Sequence, residues 1–121
     1  MKLQVLAVDD SRTMRDMIRF ALEPAGFDVH TADDGVHGTE VLSQIEPDVI
    51  ITDINMPRMD GFGFIDAVRE RNDHRSTPIL VLTTEAAPEL KSRARAAGAT
   101  GWIVKPFDPV KLVKALQMVA G

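Results

Sequence analysis

Short apolar runs alternate with longer segments of helical periodicity along this chain. The apolar runs are rich in Val, Ile and Leu and predict five strands, at residues 3–9, 28–32, 47–53, 78–83 and 101–104. The first, third and fourth runs are almost continuously apolar, which is typical of parallel strands that are covered on both faces. The strands are therefore expected to lie in the centre of the fold, with helices on either side.

The segments between these runs repeat apolar residues at intervals of three and four, which predicts amphipathic helices. Asp108 is a good N-cap for the last helix, with Pro109 at the first helical position. Pro24 predicts that the first helix either ends near Leu22 or finishes irregularly before Gly26. The positions expected to be buried are Met14, Met17, Ile18, Ala21 and Leu22, then Val41, Leu42 and Ile45, then Phe64, Ile65 and Val68, and finally Leu112, Val113, Leu116 and Val119 or Ala120.

The fourth helix, at residues 88–97, has a smaller apolar stripe than the others. Leu90, Ala94 and Ala97 remove little apolar area from water, and burial stabilises by only about 25 cal/mol per Å2. We therefore expect this helix to be the most weakly anchored.

Five strands that alternate with five helices predict an α/β fold with a parallel sheet, because right-handed crossovers return each strand parallel to the one before. The 121 residues are enough for one domain, residues 1–121, and internal repeats and low-complexity tracts are absent from the sequence. No output domain is expected after the last helix.

Composition excludes several classes of function. The formal net charge is −4, from 14 basic and 18 acidic residues, which argues against general nucleic-acid binding. The absence of cysteine excludes disulfides, thiolate metal sites and cysteine nucleophiles. The N-terminus lacks the pattern of a signal peptide, and no apolar run reaches the ~18 residues of a membrane span. A cytoplasmic protein without membrane insertion is expected.

Five polar side chains lie at or just after the ends of the predicted strands. Asp9 and Asp10 follow the first, Asp53 closes the third, Thr83 closes the fourth and Lys105 follows the fifth. In an open parallel sheet, ligands bind outside the carboxyl ends of the strands, where the strand order reverses. We therefore expect all five side chains to share one edge of the sheet.

The residue types at this edge indicate phosphoryl chemistry. Three crowded carboxylates require a proton or a cation, and oxygen ligands without His or Cys favour Mg2+. A bound phosphoryl group would bridge the metal, Lys105 and the hydroxyl of Thr83. Asp53 is a competent nucleophile towards phosphorus, and a strand end holds it more rigidly than a loop would.

Four motifs together resemble those of response-regulator receiver domains: "VDDS", "DINMPRMDG", "LTTEA" and "KPF", after strands 1, 3, 4 and 5. The resemblance spans essentially the whole chain and is strongest to the CheY-like chemotaxis regulators of that family. It implies a flavodoxin/CheY-like doubly wound sheet of order 2-1-3-4-5, with five helices on both faces. It also implies phosphorylation by a CheA-like sensor histidine kinase.

The resemblance assigns roles to individual residues. Asp53 would be the phosphoacceptor. Mg2+ would be held by Asp10 and Asp53 directly, by Asp9 largely through water, and by the backbone carbonyl of Asn55. The phosphoryl oxygens would be bound by Thr83 and Lys105, and the Lys105–Pro106 peptide bond would be cis. Asn55 and Glu85 match family positions that influence the attack of water on the acyl phosphate, which predicts a short-lived signal.

Trp102 departs from the family pattern, in which Tyr or Phe stands three residues before the lysine as a rotating switch. Trp is larger and has no hydroxyl, so the resemblance leaves open whether it turns inward. Lys91 and Arg95, one helical turn apart, would form an output face with Trp102. On the residues alone, a solvated helix face is an equal interpretation. The resemblance implies a monomer whose target is the flagellar motor switch protein. It also implies that a phosphatase can end the signal.

Other functions share part of this pattern. A phosphate sink or a phosphorelay intermediate would need all of the same residues. A Mg2+-dependent phosphohydrolase of the haloacid-dehalogenase type places a second Asp two residues after its nucleophile, but here Asn55 stands there and cannot transfer a proton. An enzyme activity beyond self-phosphorylation and autodephosphorylation is therefore not expected. Flavodoxin-like FMN binding is set aside, because Asp9 and Asp10 would repel the phosphate.

The remaining residues have structural interpretations. Met14 and Met17 are expected in the core, and Asp60–Gly61 as a helix cap and turn. The three histidines, His30, His37 and His74, are expected to be exposed.

Overall fold

The chain alternates strands and helices in a computed structural model that describes residues 2–120. The strands are β1 (Gln4–Val8), β2 (Asp28–Ala32), β3 (Val49–Thr52), β4 (Ile79–Thr83) and β5 (Gly101–Val104). The helices are α1 (Arg12–Leu22), α2 (Gly35–Leu42), α3 (Gly61–Glu70), α4 (Pro88–Ala97) and α5 (Pro109–Ala120). Every element predicted from the apolar pattern is present, and the strands predicted at 3–9, 47–53 and 78–83 are each shorter than expected.

The five strands form one parallel sheet in the order β2-β1-β3-β4-β5. This confirms the predicted fold class and strand order. At the carboxyl edge, Val8 pairs with Thr52 of β3, and Thr83 pairs with Val104 of β5. The residues that follow these four strands therefore emerge side by side.

Alternate residues of the strands build two apolar layers, one on each face of the sheet. Val5 and Ala7 of β1 face the layer that contains α1 and α5. Leu6 and Val8 face the layer that contains α2, α3 and α4. Because both faces are covered, the central strands are buried at nearly every position, as their continuous apolar runs predicted.

Polar side chains fix the helix starts. Asp60 caps α3 by accepting from the N–H of Gly63 at 2.9 Å, and Asp108 caps α5 by accepting from the N–H of Val110 at 2.9 Å. Both predicted caps are confirmed. The α-helical part of α1 ends at Leu22, and a 3-10 turn, Glu23–Ala25, follows before Gly26 (φ 97°).

Within residues 2–120, none of the helices is long and apolar enough to span a membrane.

Two expectations about burial are wrong. Met17 is 41% exposed, because the buried stripe of α1 is narrower than its apolar pattern and is centred on Ile18 and Leu22. His74 is 2% exposed. It lies in the 3-10 turn Asn72–His74 between α3 and β4, where helical periodicity gives no information about burial.

Candidate functional site

Asp9 and Asp53 are placed by the two neighbouring central strands. The N–H of Asp9 donates to the carbonyl of Ala32 at 3.1 Å, and the N–H of Asp53 donates to the carbonyl of Val8 at 2.9 Å. These bonds extend the sheet ladder by one residue beyond each strand. Both carboxylates therefore stand on a rigid backbone at the carboxyl edge, where Asp9 is 1% and Asp53 8% exposed.

Three carboxylates meet at this edge. Asp9, Asp10 and Asp53 each have a carboxylate oxygen within 4.8 Å of the other two. One oxygen of Asp9 accepts the N–H of Ser11 at 2.9 Å, and one oxygen of Asp53 accepts the N–H of Ile54 at 2.6 Å. Asp10 is exposed, so the cluster opens to solvent on its side.

Lys105 reaches across this cluster. Its Nζ lies 2.8 Å from Oδ2 of Asp9 and 2.8 Å from Oδ2 of Asp53. The N–H of Lys105 also donates to the carbonyl of Thr83 at 2.8 Å, and the Lys105–Pro106 peptide bond is cis. The ammonium is thus held between the two buried carboxylates.

Burial and hydrogen bonding shift the pKa values of Asp9 and Lys105 in opposite directions. Burial raises the pKa of Asp9, although hydrogen bonds from Lys105 and the N–H of Ser11 act to lower it. Burial alone would lower the pKa of Lys105, but the hydrogen bonds to Asp53 and Asp9 outweigh it, and the pKa is raised. Lys105 therefore stays protonated, and one ammonium faces three carboxylates.

The donor set fits Mg2+. All the ligand atoms of the acidic cluster are carboxylate oxygens, which Mg2+ prefers, and the surplus of negative charge calls for a further cation. The exposed side of Asp10 leaves room for the water molecules that Mg2+ normally retains.

The loop that follows β4 connects the site to Trp102. Thr83 is fully buried at the end of β4, and its Oγ1 lies 3.4 Å from the N–H of Glu85. The carbonyl of Glu85 accepts the indole N–H of Trp102 at 3.0 Å, and one carboxylate oxygen of Glu85 accepts the side-chain N–H of Asn55 at 3.0 Å. Asn55 and Glu85, which both match family positions that influence the attack of water, are thus hydrogen-bonded to each other.

The three residues predicted for the output face lie together. Lys91, Arg95 and the half-buried Trp102 line one shallow surface pocket between α4 and β5. Within the described range Pro88–Ala97, Ala94 is the single fully buried residue of α4. The guanidinium of Arg93 lies 4.0 Å above the ring of Phe62 of α3, which adds a cation–π contact to this limited packing.

The sequence analysis missed an ion pair that holds the loop after Asp53. The guanidinium of Arg58 donates to both carboxylate oxygens of Asp34, at 2.6 and 3.0 Å. Asp34 is the N-cap of α2, and hydrogen bonds from Arg58 hold the pKa of its carboxyl below its usual value. Arg58 has a φ of 63°, a backbone conformation that non-glycine residues rarely adopt. The apolar periodicity of the sequence cannot indicate an ion pair between two loop residues that are 24 positions apart.

Gly61, predicted only as part of a helix cap and turn, begins α3 and lies directly against the end of β3. A Cβ at this position would overlap the backbone carbonyl of Asp53 and approach Cα of Ile54 to 2.8 Å. Glycine therefore lets α3 start directly against the end of β3, which keeps the loop after Asp53 close to the site.

Comparison with known proteins finds relatives over nearly the whole chain. The family model described as "Response regulator receiver domain" matches residues 5–117. Chemotaxis protein CheY1 of Helicobacter pylori is 40% identical over 121 residues, which cover 98% of this chain and 98% of that protein. The structure of CheY4 of Vibrio cholerae has a TM-score of 0.95 and 50% identity, over 98% of this chain and 99% of that one. The receiver domain of the Pseudomonas aeruginosa sensor histidine kinase PA1611, with a magnesium ion coordinated in its active site cleft, has a TM-score of 0.92 and 26% identity, over 100% of this chain and 99% of that one.

Proposed function

Because the chain belongs to the response regulator receiver domain family, we propose that it relays a chemotaxis signal through phosphorylation of Asp53. Its CheY relatives are chemotaxis proteins, and a histidine kinase is the phosphodonor that membership of the family implies. We further propose that residues 1–121 act as one receiver domain, as a monomer in the cytoplasm. The observation that carries the proposal is the convergence of Asp9, Asp53 and Lys105, with two contacts of 2.8 Å.

Asp53 is proposed as the nucleophile. An oxygen of its carboxylate forms a bond to phosphorus while the bond from phosphorus to the kinase imidazole breaks, and the electron pair of that bond stays on the nitrogen. The short bond from the N–H of Ile54 to Oδ1 orients the carboxylate, and Oδ2 is the oxygen that Lys105 contacts. Oδ2 would therefore be presented to the incoming phosphoryl group.

Asp9, Asp10 and Asp53, with the backbone carbonyl of Asn55, are proposed to hold Mg2+. The magnesium ion in the cleft of the PA1611 receiver domain supports this, as does the all-oxygen donor set here. When bound, the ion would neutralise charge on the carboxylates and on the phosphoryl oxygens. Lys105 would then turn from the carboxylates to a phosphoryl oxygen, and the Thr83 hydroxyl would donate to another.

The output step is proposed to run through the loop after β4. Movement of Thr83 towards the phosphoryl group would pull on the Glu85 backbone, whose carbonyl accepts the Trp102 indole N–H. That would shift Trp102 and the weakly packed α4, and so change the face formed by Lys91, Arg95 and Trp102. A partner needs to favour the shifted state by only a few kcal/mol to redistribute the populations. We propose the flagellar motor switch protein as that partner.

Signal decay is proposed to depend on Asn55 and Glu85, which are hydrogen-bonded to each other at the mouth of the site. Both lie where they can orient a water molecule that attacks the acyl phosphate. A dedicated phosphatase could accelerate the same step. A chain that served instead as a phosphate sink or relay intermediate would share these residues but would not bind the motor.

Phosphorylation is tested by intact mass after incubation with Mg2+ and acetyl phosphate. We expect one phosphoryl group on wild type, lost on standing, and none on Asp53→Asn or after chelation of Mg2+. Asp66→Asn, an exposed Asp on α3, is the matched control and should behave as wild type. Consumption of the donor over many turnovers without a trapped phosphoprotein would instead indicate a phosphohydrolase. Phosphorylation without phospho-dependent binding of the motor switch protein in a calorimetric titration would favour the sink.

A further inference from the structure

His74 is a buried imidazole at the opposite edge of the sheet from Asp53. It lies just before β4, in the turn Asn72–His74, and its ring is almost fully enclosed. Nδ1 lies 3.0 Å from Oγ1 of Thr77. Nε2 is buried and has no hydrogen-bond partner among residues 2–120. A buried polar atom without a partner is costly, so this nitrogen requires an explanation.

Two carboxylates lie beside this imidazole. Oδ2 of Asp73 is 3.7 Å from Nε2. Glu46 lies in the loop before β3. One carboxylate oxygen of Glu46, one of Asp73 and one ring nitrogen of His74 all lie within 4.8 Å of one another. Asp73 and Glu46 are both exposed, so their carboxylates can move towards the imidazole without repacking the core.

Neither neutral tautomer of the ring satisfies Nε2 by a hydrogen bond. If Nδ1 carries the proton and donates it to Thr77, then Nε2 presents a lone pair to carboxylate oxygens, which also only accept. If Nε2 carries the proton, 3.7 Å to Asp73 is too long for a hydrogen bond, and the buried donor stays unsatisfied. A cation shared by the nitrogen and the two carboxylates would satisfy all three groups.

We propose that Glu46, Asp73 and His74 form a binding site for a first-row divalent cation of the Zn2+ type. One imidazole nitrogen with two carboxylates suits Zn2+, whereas an all-oxygen set suits Mg2+. Zn2+ holds such ligands at about 2.0–2.2 Å, so tetrahedral ligand atoms lie roughly 3.3 Å apart and only a small closure of the carboxylates is needed. Water would take the fourth position.

Thr77 has the position of an orienting partner in this site. A metal-bound histidine almost always donates its other ring N–H to a nearby acceptor, which fixes the tautomer. The 3.0 Å contact between Nδ1 and Oγ1 of Thr77 provides that bond. A bound cation would also tie the loop before β3 to the turn before β4.

The test is calorimetric titration of the full chain with Zn2+, in excess Mg2+ to occupy the cluster around Asp53. We expect one Zn2+ per chain for wild type. Affinity should fall by about tenfold or more in Glu46→Gln, Asp73→Asn and His74→Gln. His37→Gln is the matched control, because His37 pairs with Asp33 at 3.0 Å and belongs to no group of three such ligands among residues 2–120. It should bind as wild type does.

Glu46 and Asp73 are exposed, so their variants keep the test valid even if His74→Gln fails to fold. Thr77→Val, which keeps all three ligands, should weaken binding by roughly 10–100-fold. Co2+ in place of Zn2+ should give the visible absorption of a tetrahedral site in wild type and lose it in Asp73→Asn. Absence of Zn2+ binding to wild type, or binding that Glu46→Gln and Asp73→Asn leave unchanged, would overturn the proposal.

Discussion

Lys105 is the residue on which the electrostatics of the site depend. Its ammonium occupies one oxygen of Asp9 and one of Asp53, the oxygens that a metal ion or a phosphoryl group would also contact. We therefore expect Mg2+, bound as proposed, to compete with Lys105 for the same carboxylates.

Replacing this lysine tests the competition. Lys105→Met should lower the free energy of unfolding by roughly 3 kcal/mol in chelator, because two buried carboxylates lose their partner. Added Mg2+ should recover more stability in this variant than in wild type, since the competing cation is gone. Urea unfolding with and without Mg2+ measures both effects. Lys111→Met, an exposed lysine of α5, is the control, and an equal response of both variants to Mg2+ would contradict the competition.

Arg58 gives a second prediction at the residue scale. It lowers the pKa of Asp34, so the pair stabilises the fold above the ordinary Asp pKa of 3.8, and this contribution is lost as the pH falls through the lowered value. Arg58→Met should therefore reduce the melting temperature at neutral pH and have little effect in strong acid. Thermal melts over a pH series, with Arg12→Met as an exposed control, measure this. A difference that stays constant down to strong acid would exclude the ion pair as its cause.

At the scale of elements, α4 differs from the other helices. It buries one residue fully, whereas α3 buries Phe64, Ile65 and Val68 with no exposed surface at all. The contact of Arg93 with Phe62 of α3 adds to this limited packing.

Amide hydrogen exchange should reveal this difference. We expect the amides of α4 to exchange faster than those of α3, because opening this helix exposes little apolar surface. Arg93→Ala should accelerate exchange further within α4, at a cost of about 0.5–1 kcal/mol in local stability. Arg95→Ala, two residues further along α4 and so on a different side of the helix from the ring contact, is the matched control. Equal protection of α3 and α4 would show that α4 is anchored by something other than its buried area.

The elements show what the sequence could and could not predict. Strand and helix positions followed from apolar periodicity, and the range expected for α4, roughly residues 88–97, matches the structure. The convergence of Asp9, Asp53 and Lys105 followed from the topology of a parallel sheet. The Asp34–Arg58 pair and the burial of His74 did not follow, because both depend on how loops fold against distant segments.

At the scale of the whole molecule, the sheet separates two groups of polar residues. The acidic cluster lies at the carboxyl ends of the strands, and Glu46, Asp73 and His74 lie at the amino ends. Between them the strands are almost completely buried, with both apolar layers packed against them. The two groups therefore lie at opposite ends of the same strands and share no side chain.

Trp102 has one more consequence. The chain contains one tryptophan and no tyrosine, so its ultraviolet emission comes essentially from this indole. The indole is half-buried, and its N–H is bonded to the loop that links the carboxyl edge of the sheet to α4. Any change in that hydrogen bond alters the polarity around the indole ring, and hence the wavelength and intensity of its fluorescence. The protein thus carries its own optical reporter of this loop, which can be followed in real time without a label.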